Sequence, residues 1–475
     1  ITGSTVDPGK SGTITVSSAQ SGVTYNIYKN DAYVTSGTGA GTNLTITISS
    51  ANLEIGTNTF VVKADNNNCE VDMSTSAVIT VREPGITVSS ISGNTSEPNV
   101  ARTFTIVLNT EPSADVTINF SSSDITEGTV SPASVTFTPS NWSTARTITV
   151  TGVDDFVKDG DITYTITIGA ASSSDLNYNG KDPADISLVN LDNDIVGITV
   201  SPQTGLVTTE AGGTATFTIR LSSQPVSAVS ISISSSNTAE GTVSPVTINL
   251  DDTNWNTPQT VTITGVNDYI DDGDVAYTIV TSSTTSSDPL YNNLTVPDVS
   301  VTNTDNDEAG VLVSPTSGLT TTEAGGTATF TITHNSQPAQ NVSISLSSSN
   351  TNEGNVSPTS VTFTSANWST AQPITITGVN DDVDDGNISY TIITSNASST
   401  DTKYSNMNVA DVSVVNNNDD VAGVTVNPTS GLVTTEAGGT ATFTVVLNSK
   451  PTADVTIGLS SSRTAEGTVS PTSIV

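Results

Sequence analysis

The chain has almost none of the residues on which most protein chemistry depends. Its 475 residues include one cysteine, Cys69, and one histidine, His334. A lone cysteine closes no internal disulfide, so the fold must hold without covalent staples. Cys69 is expected as a buried thiol packing like a small hydrophobe. The usual Ser–His and Cys–His nucleophile pairs are excluded, and zinc and copper lack their preferred ligands. Basic residues are scarce as well: 12 Lys and Arg stand against 47 Asp and Glu, for a formal net charge of −35. Nucleic acid and anionic membrane both need basic patches, so neither is expected as a partner. No apolar run approaches the roughly 18–20 residues of a membrane span, so no direct membrane insertion is expected. No signal peptide is visible.

What remains is Thr, Ser, Val, Ile and Asn, with 34% apolar residues spaced at period two. That alternation is a folded β pattern rather than disorder, and no segment shows helical periodicity. Residues 1–83 carry β runs such as Gly12–Val16, Val23–Tyr28 and Asn58–Ala64, separated by Gly, Asn and Asp, and read as a small immunoglobulin-like sandwich.

From residue 84 the chain repeats itself. Glu97, Glu210, Glu323 and Glu436 recur at a spacing of 113 residues, as do Phe104, Phe217, Phe330 and Phe443. Trp142, Trp255 and Trp368 mark the complete copies. The expected divisions are 84–195, 196–308, 309–421 and, for a truncated fourth copy, 422–475. Ile1 opens in mid-pattern and Val475 falls inside a copy, so the sequence is expected to be a piece of a longer protein.

Each complete copy is expected to hold seven strands. In the second they are A (197 to about 208), B (214–221), C (228–234), D (near 246–250), E (259–264), F (275–281) and G (298–303). Apolar residues alternate with Thr or Ser, the mark of a sheet with one dry face. Two antiparallel sheets packed face to face follow. The expected fold class is all-β: tandem seven-stranded sandwiches arranged end to end.

The charged residues that do occur are concentrated. Val266–Asp274 reads VNDYIDDGD, with matching stretches at Val153–Asp161 (VDDFVKDGD) and Val379–Asn387 (VNDDVDDGN). Carboxylates this crowded repel one another unless a cation neutralises them. In a succession of seven strands the A–B, C–D and E–F loops share one pole with the end of strand G. Glu210, Glu240, the quartet Asp268, Asp271, Asp272 and Asp274, and the pair Asp305 and Asp307 should therefore meet where one copy touches the next. Calcium takes six to eight oxygen ligands, and it suits such a set better than magnesium, which demands a strict octahedron. Ca2+ is the expected cofactor.

A Glu ahead of a Gly-Gly-Thr-Ala-Thr-Phe strand, an acidic Asp-Gly-Asp loop and a closing Asp-Asn-Asp resemble the Calx-beta domain. The resemblance covers residues 84–475. It implies a seven-stranded immunoglobulin-like sandwich with calcium at its C-terminal pole. The ligands it implies are Glu97, Asp155, Asp159, Asp161, Asp192 and Asp194 in the first copy. In the second they are Glu210, Asp268, Asp272, Asp274, Asp305 and Asp307, and in the third Glu323, Asp381, Asp385, Asp419 and Asp420. The third copy departs from the pattern with Asn387 and Asn418. Glu127, Glu240 and Glu353 do not match the family's usual C–D segment and are left out of the set.

The tryptophans fall in the D–E connection, at the opposite pole, where they close the core or pack on the preceding copy. Tyr164, Tyr277 and Tyr390 read as core; Tyr178, Tyr291 and Tyr404 read as contacts to the preceding copy. Acids that recur in every copy do not suit an active site, which is built once, so no enzyme activity is expected. The leading reading is an extracellular, cell-surface stalk stiffened by calcium, whose partners are further repeats of its own chain. By whole-architecture resemblance it belongs to a giant bacterial adhesin of the gliding-motility or biofilm type, with its surface or glycan ligand bound elsewhere in the protein. Two alternatives stand beside it. The repeats could themselves bind glycan through the Trp pole or the Thr-rich faces, or the chain could be a self-assembling filament subunit.

Overall fold

A computed structural model describes residues 1–67 and 69–475. The described residues contain no α-helix, only a single 3-10 turn at Ser50–Asn52. The fold is all-β, in tandem two-sheet sandwiches.

The second copy illustrates how sequence becomes sandwich. In strand B, Thr214–Leu221, the side chains of Phe217, Ile219 and Leu221 are buried while Thr216 and Arg220 face solvent. β-branched and aromatic residues at alternate positions fill the dry face of the pleat. Each fully buried Val, Ile, Leu or Phe contributes roughly 1.5–3 kcal/mol of hydrophobic stabilisation. Phe217 pairs across the sheet with Val261 of strand E, and its core neighbours include Ile231, Ile263, Ile279 and Val301.

Two of the seven expected strands are not single strands. Strand A divides into Ile198–Ser201, antiparallel to strand B, and Leu206–Thr209, which runs parallel to strand G in the other sheet. Strand D is preceded by Gly241–Ser244, which pairs with strand E, whereas Thr247–Leu250 pairs with strand C. One sheet therefore has the order A, B, E and the 241–244 strand. The other has the order 206–209, G, F, C and D, with Thr285–Ser286 added beside C. Both splits occur at a proline, Pro202 and Pro245. Proline has no N–H to donate to a ladder, so the chain leaves one sheet there and joins the other. Gly205, at φ +77°, makes the left-handed step of the first crossing.

The first and third copies repeat this arrangement around their own cores. Residues 1–83 form a three-stranded and a six-stranded sheet around Ile14, Ile27, Phe60 and Ile79. Cys69 was expected inside and is exposed. It immediately precedes the strand Glu70–Asp72, whose residues are all exposed, and its N–H donates to Asn66 Oδ1 at 3.1 Å. In residues 422–475 the strands are shorter: Val424–Asn427 pairs with Thr444–Leu447, and Ile457–Gly458 with Ser473–Ile474. Phe443 is 36% exposed, although Phe104, Phe217 and Phe330 at the same repeat position are 1% exposed.

Tyr164, Tyr277 and Tyr390 are core residues, as expected. Tyr178, Tyr291 and Tyr404 are buried inside their own copies rather than against the preceding one. Their hydroxyls donate to the carbonyls of Thr110 (2.7 Å), Ser223 (2.7 Å) and Ser336 (2.6 Å). A buried phenol needs such a partner, and the turn after strand B supplies one.

Candidate metal centre

The acidic pole is assembled by backbone contacts that only small residues permit. Gly265 ends strand E, and a Cβ there would lie 2.2 Å from the Thr209 carbonyl oxygen. Its N–H donates to the Gly213 carbonyl at 3.0 Å, which fastens the E–F loop to the A–B turn. Gly241 plays the matching part on the C–D side, where a Cβ would lie 2.1 Å from the Tyr277 hydroxyl. Val266 N–H donates to the Glu240 carbonyl at 2.9 Å. Asn303, at the end of strand G, ties the rest together. Its amide donates to the Glu240 carboxylate at 3.2 Å and to the Val266 carbonyl at 3.1 Å.

The acids of the second copy form two groups. Glu210, Asp305 and Asp307 each place an oxygen within 4.8 Å of the other two, and so do Glu240, Asp268 and Asp272. The first copy repeats both groups, as Glu97, Asp192 and Asp194, and as Glu127, Asp155 and Asp159. In the third copy Glu323, Asp419 and Asp420 form the first group. Glu97, Glu127, Glu210, Glu240 and Glu323 are all buried. Turn geometry aims the aspartates: Asp268 Oδ1 accepts the Ile270 N–H at 2.8 Å, and Asp305 accepts those of Gly273 and Asp307, each at 2.7 Å.

The electrostatics are those of crowded anions. Burial, followed by the charges of Asp268, Asp305 and Asp307, pushes the Glu210 carboxyl up to about 7. Burial with Asp155 and Asp192 does the same to Glu97, also to about 7. Asp159, Asp194, Asp272 and Asp307 are raised as well, first by burial and then by neighbouring carboxylates. Because Asp268 belongs to one group and raises Glu210 in the other, the two groups share a field. The Oδ2 atoms of Asp194, Asp307 and Asp420 are buried with no hydrogen-bond partner in the described structure. A carboxylate oxygen buried without a partner costs about 1–3 kcal/mol or more. A hard cation would satisfy those oxygens, lower the raised carboxyls and suit an all-oxygen donor set.

The other acids expected as ligands have different surroundings. Asp161 and Asp274 stand outside both groups, each accepting the backbone N–H at the start of the closing segment, Asp192 at 3.2 Å and Asp305 at 3.1 Å. In the third copy Asn387 Oδ1 accepts the Asn418 N–H at 3.1 Å, so that departure keeps the same bond. Asp381 and Asp385 lie near enough for their charges to raise Glu323. Glu127 and Glu240, which were left out of the set, complete the second group. Loop parity had already placed Glu240 at this pole, and the Glu-Gly recurring at 127–128, 240–241 and 353–354 extends that signal to the other copies.

One native cation is already present. In the first copy Lys158 Nζ lies 2.5 Å from Asp192 Oδ2. Burial alone would raise the Asp192 carboxyl, but the Lys158 ammonium and the N–H groups of Asp194 and Gly160 lower it.

No family model matches the chain, and no curated protein matches it. Solved structures do align with it. The CBD12 region of CALX1.2 aligns at 13% identity and a TM-score of 0.24, covering 46% of this chain and 98% of its own. The calcium binding domain CBD12 of CALX1.1 aligns at 12% identity and a TM-score of 0.23, covering 40% and 78%. Domains 4–9 of the surface layer protein SbsC align at 13% and 0.22, covering 88% and 61%.

Proposed function

We propose that the chain is a segment of an extracellular stalk, part of a large cell-surface adhesin, stiffened by calcium at the C-terminal pole of each complete repeat. The units are 1–83, 84–195, 196–308, 309–421 and the partial 422–475. One observation carries the reading: each of the first two copies ends in two carboxylate groups, and in each Asp194 or Asp307 keeps an unpartnered buried oxygen. Calcium shared by Glu210, Asp305 and Asp307 would hold the A–B turn to the segment leading into the next copy. Calcium shared by Glu240, Asp268 and Asp272 would hold the C–D loop to the E–F loop. Bound ions stabilise the folded state by mass action and remove the mutual repulsion of the acids. At about 3.3 Å per strand residue a row of such sandwiches reaches well beyond roughly 100 Å, a length suited to a stalk. Small-angle scattering of the whole chain tests this. With calcium the chain should scatter as a long, stiff particle, and with chelator as a more flexible one. Identical curves in the two conditions would count against calcium stiffening.

A further inference from the structure

The loop that gathers the acids also carries an aromatic ring at its apex, and that ring turns away from its own copy. Phe156 lies against Trp255 of the following copy, with ring centroids 5.7 Å apart and planes tilted by 44°. Tyr269 lies against Trp368 in the same way, at 5.9 Å and 40°. A backbone contact accompanies each pair. The Phe156 carbonyl accepts the Gln224 N–H at 2.6 Å, and the Tyr269 carbonyl accepts the Gln337 N–H, also at 2.6 Å. Val157 adds a parallel bridge to Gln224. The receiving surface is therefore built from the turn between strands B and C and the tryptophan between D and E.

The flanking residues tie this contact to the acidic pole. Asp268 immediately precedes Tyr269 and Asp272 follows three residues later; both belong to the group completed by Glu240. Asp155 and Asp159 flank Phe156 in the same way and join Glu127. In each loop the ring therefore sits between two carboxylates of one group.

We propose that the E–F loop is a docking element whose partner is the next copy of the same repeat. Its aromatic side chain is the plug, the tryptophan of the following copy is the receptor, and a cation on the second carboxylate group holds the plug in place. This rests on the calcium reading above. Trp142 is a built-in control. Ahead of the first copy no ring among the described residues pairs with it, and the matching turn residue, Glu111, is met by Lys10 at 3.3 Å and, through its N–H, by the Asp7 carboxylate at 3.4 Å. The third loop keeps the backbone contact, from the Lys450 N–H to the Asp382 carbonyl, but Asp382 stands where the ring would be. The plug therefore belongs to two successive junctions of the chain.

Fluorine NMR of the full chain labelled with 5-fluorotryptophan gives one resonance for each of the three tryptophans. Phe156→Ala should move only the Trp255 resonance, and Tyr269→Ala only that of Trp368. Phe156→Tyr should restore the Trp255 position. Removing calcium from the unsubstituted chain should move those two resonances toward their alanine-variant positions and leave Trp142 in place. Alanine variants that move neither resonance would overturn the proposal. So would resonances unmoved by chelator in a chain shown by calorimetry to bind calcium. If calorimetry instead shows no calcium binding, the stiffening reading fails, while the alanine variants still report whether the rings touch.

Discussion

The first and second complete copies share a frame, a fold and both carboxylate groups, yet they satisfy their negative charge differently. The first has Lys158 in its acidic loop, with its ammonium on Asp192. The second has Asp271 at that position, and its carboxylate is met by Lys403 from the following copy and by the Ala309 N–H at 2.9 Å. One pole thus supplies its own cation, whereas the other borrows one across the junction. The difference shows that positive charge is the scarce component of this pole. It also shows that charge can come from the same copy, from the next one or, on the reading above, from calcium.

The frame itself can be broken first. Gly265→Ala would press a Cβ to 2.2 Å from the Thr209 carbonyl oxygen, where no flexible side chain can give way. It should destabilise the second copy by roughly 2–4 kcal/mol. In a thermal melt that copy should unfold well below the first, and a single unchanged transition would contradict the account.

The third copy extends the comparison by pH. His334 replaces Leu108 and Leu221 of the other two copies. It is buried between Phe363 and Tyr404, with both ring nitrogens unpartnered among the described residues. Burial lowers its pKa from 6.5 to about 4. The unfolded chain therefore binds the proton more tightly, and the third copy loses stability as pH falls below 6.5. The loss should reach about 3 kcal/mol near pH 4. His334→Leu should remove that selective acid sensitivity. Melts at pH 7 and 4.5 would check this, and equal acid loss with and without the substitution would contradict it.

Exchanging the two loop charges sharpens the contrast most finely. Lys158→Asp gives the first pole the charge of the second and should tighten calcium there about tenfold, or ~1.4 kcal/mol. Asp271→Lys should weaken the second pole to a similar extent. Calorimetry on the full chain reads both, and affinities indifferent to the exchange would show that the loop charge does not set calcium affinity.

Features set by backbone periodicity were legible in the sequence, and those set by side-chain reach between distant segments were not. Alternation along Thr214–Leu221 revealed a sandwich strand, because burial of one face is a period-two property. Loop parity brought Glu210, Asp305 and Asp307 together, because the ends of strands set which loops are neighbours. The split strands A and D were marked by Pro202 and Pro245, but the pairing on either side of a proline depends on the opposite sheet. Loop parity placed Glu240 at the same pole, but its C–D segment does not match the family pattern, so the resemblance left it out of the ligand set that it completes with Asp268 and Asp272. The reach of Lys403 to Asp271 was hidden, since it joins residues of different copies. Cys69 followed the exposed strand it precedes rather than the general preference of cysteine for the interior.

The most direct test of the account is a calorimetric titration of calcium into the chelator-treated chain, with magnesium as the comparison. Saturable calcium binding is expected, about two ions at each of the first two poles, one for each carboxylate group, and a reduced number when Glu240→Gln and Asp268→Asn remove one of those groups. A chain that takes up no calcium, or takes it up unchanged after those substitutions, would contradict it.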